Sequence, residues 1–184
     1  MKKLLLIMGD LAAGKTTFAN KLSVRYGVVS FNKDDLKEIL ANTYSLINAK
    51  ESKKMSIAAV DIMINNFVYF AKIEKPLILE SNFHQDEINR INKLANEYGY
   101  DVLTLLVKGD LNVLHKRFVN RSINENRHQV HLCNDFNEFE SFKKYIEDSR
   151  KELPLGNVIH IDATSLDYQN DEKVLQLIDD FMNN

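Results

Sequence analysis

The stretch GDLAAGKTT, Gly9 to Thr17, follows the apolar run Leu4-Leu5-Leu6-Ile7-Met8 and leads into a helical pattern. Its spacing is Gly9, four residues, then Gly14-Lys15-Thr16. This is the P-loop pattern, set between a strand-like run and a helix-like one as phosphate binding requires. Gly9 and Gly14 allow the backbone to curl so that the N–H groups of Gly9, Asp10, Leu11, Ala12, Ala13, Gly14, Lys15, Thr16 and Thr17 can point inward at phosphate oxygens. Lys15 reaches the outer phosphates, and Thr16 can offer its hydroxyl to Mg²⁺. The helix that follows, about Thr16 to Arg25, turns its positive dipole end toward the same place. An ordinary strand-to-helix turn is the competing reading. The loop therefore predicts a bound nucleoside triphosphate, and leaves open whether the chain hydrolyses it, transfers its phosphate or only senses it.

Outward from this loop, five short β-rich runs stand at Lys3 to Met8, Val28 to Phe31, Pro76 to Glu80, Asp101 to Val107 and Asn157 to Ile161. Helical patterns cover about Gly14 to Tyr26, Asp35 to Asn42, Ser52 to Lys75, Gln85 to Tyr98, Leu111 to Asn124, Phe136 to Lys151 and Asp171 to Met182. Gly27, Gly99 and Gly156 precede strands, where helix C-caps are expected. Strands alternating with helices predict an α/β fold, a parallel sheet covered by helices on both faces. Ser56 to Ile73 is apolar around most of its circumference, which suits a helix wedged between the sheet and another element. No repeat, low-complexity tract or linker divides the 184 residues, so one domain over 1–184 is expected.

The bulk numbers narrow the function. Lys and Arg number 24 against 26 acids, a formal charge of −2, so no overall basic field favours a long nucleic acid. Cys133 is the one cysteine, which excludes an intrachain disulfide and fits a reducing compartment. The apolar run before Gly9 is too short for a signal-peptide core, and nothing approaches the roughly 18 apolar residues of a membrane span. A cytoplasmic protein with no membrane partner is the expectation.

In an open parallel sheet, ligands gather beyond the carboxyl ends of the strands. After the second run comes FNKDD, Phe31 to Asp35, where Asp34 can accept a proton from an attacking hydroxyl. Asp35 with Glu38 three residues on fits a capping box for the next helix. After the third run, LILESNF places Glu80 where Mg²⁺ or its bound water can be held. Asn82 beside it can meet the acceptor, and for both Ser81 and Asn82 plain turn hydrogen bonds are the competing reading. After the fourth run comes HKRFVNRSINENRHQVH, His115 to His131. Arg117 and Arg121, one helical turn apart, and Arg127 can clamp a migrating phosphoryl group as its charge spreads. The alternative is a solvated helix face. His128 and His131 offer half of a metal site without a third ligand at the right spacing. DATS, Asp162 to Ser165, makes a loop that can border the base.

Taken together, GDLAAGKT, FNKDD, LILESNF and RFVNR leading to RH resemble, over nearly the whole chain, the P-loop kinases grouped with polynucleotide 5′-kinases and zeta-toxin-like kinases. The resemblance implies a five-stranded sheet in the order 2-3-1-4-5 within a three-layer P-loop NTPase sandwich. It also implies a helical lid at about 113–131, Mg-ATP as donor with Mg²⁺ at Thr16, Asp34 as base, and Arg117, Arg121 and Arg127 on the phosphoryl group. Two departures bear on the acceptor side. Leu11-Ala12-Ala13 replaces Pro-Gly-Ser, and Lys37 stands where the phage polynucleotide kinase has an arginine that grips acceptor phosphate, which keeps the charge but loses the bidentate fork. The expected function is thus an ATP-dependent phosphotransferase acting on a hydroxyl of a small metabolite, nucleotide or sugar, with Asp34, Lys37 and Asn82 facing the acceptor. A polynucleotide 5′-hydroxyl kinase and a regulatory nucleotide-binding module are the alternatives.

Overall fold

A computed structural model describes residues 2–44, 48–124, 128–133 and 136–183. The strands are β1 (Lys3–Gly9), β2 (Val29–Asn32), β3 (Leu77–Glu80), β4 (Asp101–Lys108) and β5 (Asn157–Asp162). The helices are α1 (Lys15–Tyr26), α2 (Lys33–Ala41), α3 (Ala49–Lys72), α4 (Gln85–Tyr98), α5 (Leu111–Asn124), α6 (Phe139–Ser149) and α7 (Glu172–Asn183). All five strands run parallel in the order β2-β3-β1-β4-β5, the expected arrangement.

Strand periodicity of two explains the layers. In β1, Leu5 and Ile7 face one side and pack with Phe18, Ala19 and Leu22 of α1, Leu114 and Phe118 of α5, Phe142 and Ile146 of α6, and Ile178 and Met182 of α7. Leu4, Leu6 and Met8 face the other and meet Val60, Met63 and Phe67 of α3 with Ile88, Ile91 and Ala95 of α4. Burial on both faces is why β1 reads as an unbroken apolar run rather than an alternating one.

Several boundaries differ from expectation for identifiable reasons. Asn32, not Asp35, caps α2: its side-chain oxygen accepts from the backbone N–H of Asp34 at 2.6 Å and Asp35 at 3.3 Å. Both acids therefore lie inside the first turn, and Glu38 pairs with His131 instead of completing a capping box. The α3 helix starts early because Asn48 accepts from Glu51 N–H. Gly27 and Gly99 are left-handed C-caps as expected. Gly156 is not: α6 ends at Arg150, and Gly156 is required because a Cβ there would lie 2.3 Å from Val102 O.

Candidate active site

The loop between β1 and α1 is held open by backbone geometry that most residues resist. Gly9 has φ of 133°, and a Cβ there would sit 1.9 Å from Val107 O. Ala12 and Gly14 take φ of 58° and 83°. Successive turns of this kind point N–H groups into a concave nest for anions. The Lys15 ammonium folds back onto Asp10 O at 2.7 Å and Gly9 O at 3.2 Å. Burial lowers its pKa, opposed by Glu80, Asp34 and Asp10. A cavity of about 170 Å³ is lined by Leu11 to Thr17 and also by Asp34, Lys37, Glu80, Asn82 and Arg121. The loop, the two candidate acids and one candidate arginine thus meet in one place.

Asp10 takes part in a different way from its neighbours. Its side chain is 1 % exposed and receives the Arg150 guanidinium at 3.1 Å and 2.6 Å, together with Gly109 N–H at 3.0 Å. Arg150 also donates to Gly109 O at 2.7 Å. A charge-assisted two-point pair of this kind fixes orientation as well as charge. It fastens the start of the phosphate loop to the end of α6 and the turn after β4. Sequence reasoning missed Arg150, since nothing in the isolated run KKYIEDSRK distinguishes it from other surface cations.

Glu80, at the tip of β3, accepts the Thr16 hydroxyl at 2.9 Å and the Asn32 amide, which also donates to Thr16 Oγ1 at 3.0 Å. Burial raises the Glu80 pKa, as does the Asp34 charge, against Lys15 and the Thr16 hydrogen bond. For Asp34, burial pushes upward, but Lys33, His131, Lys37 and Lys15 outweigh it and hold the carboxyl below its ordinary value. The two acids are displaced in opposite directions, the pattern by which one site assigns different tasks to like groups. An ionised Asp34 is the form that takes a proton. Among the described residues Thr16 Oγ1 accepts only the Asn32 N–H, so a lone pair remains beside a carboxylate, a donor set of the oxygen type that Mg²⁺ takes.

The remaining candidates divide. Arg121 lines the cavity, as do buried Lys37 and Asn82. Among the described residues Ser81 Oγ and Asn82 Oδ1 are buried with no hydrogen-bond partner, so neither atom makes the turn hydrogen bonds allowed for above. Arg117 points elsewhere: it donates to Ala163 O and Thr164 O, both at 2.6 Å, and so braces the DATS loop. Arg127 lies outside the described residues. His128 and His131 pin the segment after it to α2, through Asn42 at 3.1 Å and Glu38 at 2.8 Å. Val130 between them is buried against Ala41 and Met55, and its carbonyl accepts Ser52 Oγ. The polar character of this stretch hid the one apolar residue that docks it. An adjoining cavity of about 740 Å³ runs from Thr16 and Asp34 along α2 to these histidines. Beyond β5, Tyr168 donates to Ala13 O at 2.9 Å and its ring meets Phe18 edge-on at 5.2 Å, tying the far loop to the phosphate loop.

A profile of the AAA domain family matches residues 4–142, well over half of the chain. The chain belongs to the AAA domain family. Among solved structures, this AAA domain is similar to a candidate kinase from Chloroflexus aurantiacus J-10-fl, with a TM-score of 0.85 at 21 % identity over 97 % of each chain. It is also similar to a sugar kinase from Janibacter sp. HTCC2649, with a TM-score of 0.61 at 13 % identity, covering 100 % of this chain and 95 % of the other. At these identities the likeness is one of fold, a P-loop α/β sandwich. No curated protein matches this AAA domain. No described helix is long and apolar enough to cross a membrane.

Proposed function

We propose that this chain is an ATP-dependent phosphotransferase of the cytoplasm, one domain over 1–184, that moves the γ-phosphoryl group of Mg-ATP to a hydroxyl of a small acceptor. The observation that carries the proposal is the convergence of Lys15, Thr16, Asp34, Glu80 and Arg121 on one cavity. Backbone N–H groups from Gly9 to Thr17 hold the phosphates, and Lys15 swings from its two carbonyls to the outer ones. Thr16 and Glu80 would hold Mg²⁺, which neutralises charge on phosphate oxygens. Asp34 accepts the proton of the acceptor hydroxyl as its oxygen bonds to the γ-phosphorus. The bond from that phosphorus to the β,γ-bridging oxygen breaks, and ADP leaves.

Arg121, with Arg127 as the second cation, meets the phosphoryl oxygens, whereas Arg117 keeps the base-side loop in place. Lys37 and Asn82 face the acceptor. The kinship to polynucleotide 5′-kinases and zeta-toxin-like kinases, and the lid at about 113–131, are part of the same proposal. The net charge of −2 supports a small acceptor over a long polynucleotide.

The experiment is a panel of sugars, nucleosides, small alcohols and a 5′-hydroxyl oligonucleotide, offered with γ-labelled ATP to wild type and Asp34→Asn. Label moving to a small acceptor in wild type alone supports the proposal. Label on the oligonucleotide with a steep salt dependence replaces the small-acceptor reading. Release to water only, unchanged by Asp34→Asn, refutes a transferase.

A further inference from the structure

Asn32 stands between the two halves of the site, and its amide is used in both directions. The oxygen accepts from Asp34 N–H and Asp35 N–H, which sets the first turn of α2 and with it the place of Asp34. The nitrogen donates to Thr16 Oγ1 at 3.0 Å and to Glu80 Oε2. An asparagine amide has two N–H donors and one oxygen with two lone pairs, so this side chain is fully employed. Its orientation is fixed by its partners: backbone N–H groups on one side and a carboxylate on the other admit only one assignment of oxygen and nitrogen. The residue is 7 % exposed, so these hydrogen bonds do not compete freely with water.

A helix N-cap alone does not require this. Serine and aspartate cap as well as asparagine, because only an oxygen is needed. Neither supplies the N–H₂ group that meets Thr16 and Glu80. Resting on the phosphotransferase reading above, we propose that Asn32 is a positioning residue that locks the acceptor-side carboxylate Asp34 to the Thr16–Glu80 pair. Its N–H on Thr16 Oγ1 keeps the hydroxyl proton directed at Glu80, where it is donated at 2.9 Å, and so leaves the remaining Thr16 lone pair on the side of the phosphate loop. Its oxygen ties that arrangement to the backbone of the residue that takes the proton. Neighbours that orient a cation's ligands typically cost 10- to 100-fold in affinity or activity when removed.

The discriminating variant is Asn32→Ser, which retains a cap oxygen and removes the donor arm. Asn32→Asp is the second, also cap-competent, with a carboxylate oxygen set against Glu80 in place of a donor. Asn32→Ala removes both functions. Melting is followed without ligand, with ADP, and with ADP plus Mg²⁺, and kcat and KM are measured on the acceptor found in the panel.

Asn32→Ser is expected to melt, unliganded, within a few degrees of wild type and to keep the shift given by ADP alone. The additional shift due to Mg²⁺ should largely vanish, and kcat should fall by about 10-fold or more while KM for the acceptor stays within about twofold. Asn32→Asp should lose kcat to a similar extent. If Asn32→Ser keeps both the Mg²⁺-dependent shift and wild-type kcat, Asn32 is a cap and nothing more. Wild type that gains no stability from ADP would overturn the nucleotide site and this proposal together. Wild type stabilised by Mg-ADP that labels no acceptor overturns only the transferase reading, and the Mg²⁺-dependent shift then decides for Asn32.

Discussion

Arg150→Ala tests whether the phosphate loop is fastened from outside itself. The substitution removes three charge-assisted hydrogen bonds, two to the Asp10 carboxylate and one to Gly109 O. Asp10, 1 % exposed in the wild type, is then left with Gly109 N–H as its one remaining side-chain partner among the described residues. Breaking a buried pair by deleting one partner costs about 3–5 kcal/mol. The Arg150 side chain is itself 30 % exposed, and water can reach part of the vacated space, so a smaller loss of about 2–3 kcal/mol is expected. For a domain of this size each kcal/mol moves the melting temperature by about 2–4 °C, giving a fall of about 4–12 °C.

The assay is a double-mutant cycle by thermal or urea unfolding with Asp10→Asn. If the loss arises from a stranded charge, neutralising Asp10 should recover about 1–2 kcal/mol of it, since paired groups couple by that order. Arg150→Lys should rescue only partly, because a single ammonium cannot reproduce the two-point fork. An Arg150→Ala protein that melts within about 2 °C of wild type, or strict additivity with Asp10→Asn, would refute the strut.

The other predictions concern single residues of the site. Asp34→Asn should leave the ADP-induced rise in melting temperature intact and lower transfer by about 10²-fold or more; unchanged transfer would make Asp34 structural. Ala12→Gly should raise the melting temperature by a few degrees, because φ of 58° costs an alanine of order 1 kcal/mol that glycine does not incur. A fall would show that chain flexibility outweighs the strain. Tyr168→Phe removes the hydroxyl donated to Ala13 O while keeping the ring against Phe18, and should cost about 1–2 kcal/mol with weaker ADP binding. A loss of stability with unchanged ADP affinity would mean that Tyr168 braces the fold but not the loop.

The sequence by itself determined the parts that depend on neighbours along the chain. Leu4 to Met8 read as a doubly buried strand, and Gly9 with Gly14-Lys15-Thr16 read as a phosphate loop, because both signals are complete within a dozen residues. Alternation of strands and helices then left a parallel sheet as the economical arrangement, and the structure has it. Strand ends also pointed to Asp34 and Glu80, because ligands of an open parallel sheet gather at the carboxyl ends of its strands, and the structure places both on one cavity.

Tertiary structure decided what depends on distance in space. Nothing in the sequence singles out Asn32, and only folding sets it against Thr16 and Glu80, 16 and 48 residues away. Arg117 and Arg121 carry the same charge one turn apart, yet the first is drawn to two carbonyls beyond β5 and the second reaches the cavity wall. Arg150 finds Asp10 across 140 residues. Local pattern records which face of a helix is apolar, but the partner of a charged side chain is fixed only when packing brings remote carboxylates and carbonyls within about 3 Å and shuts out the water that would otherwise satisfy them.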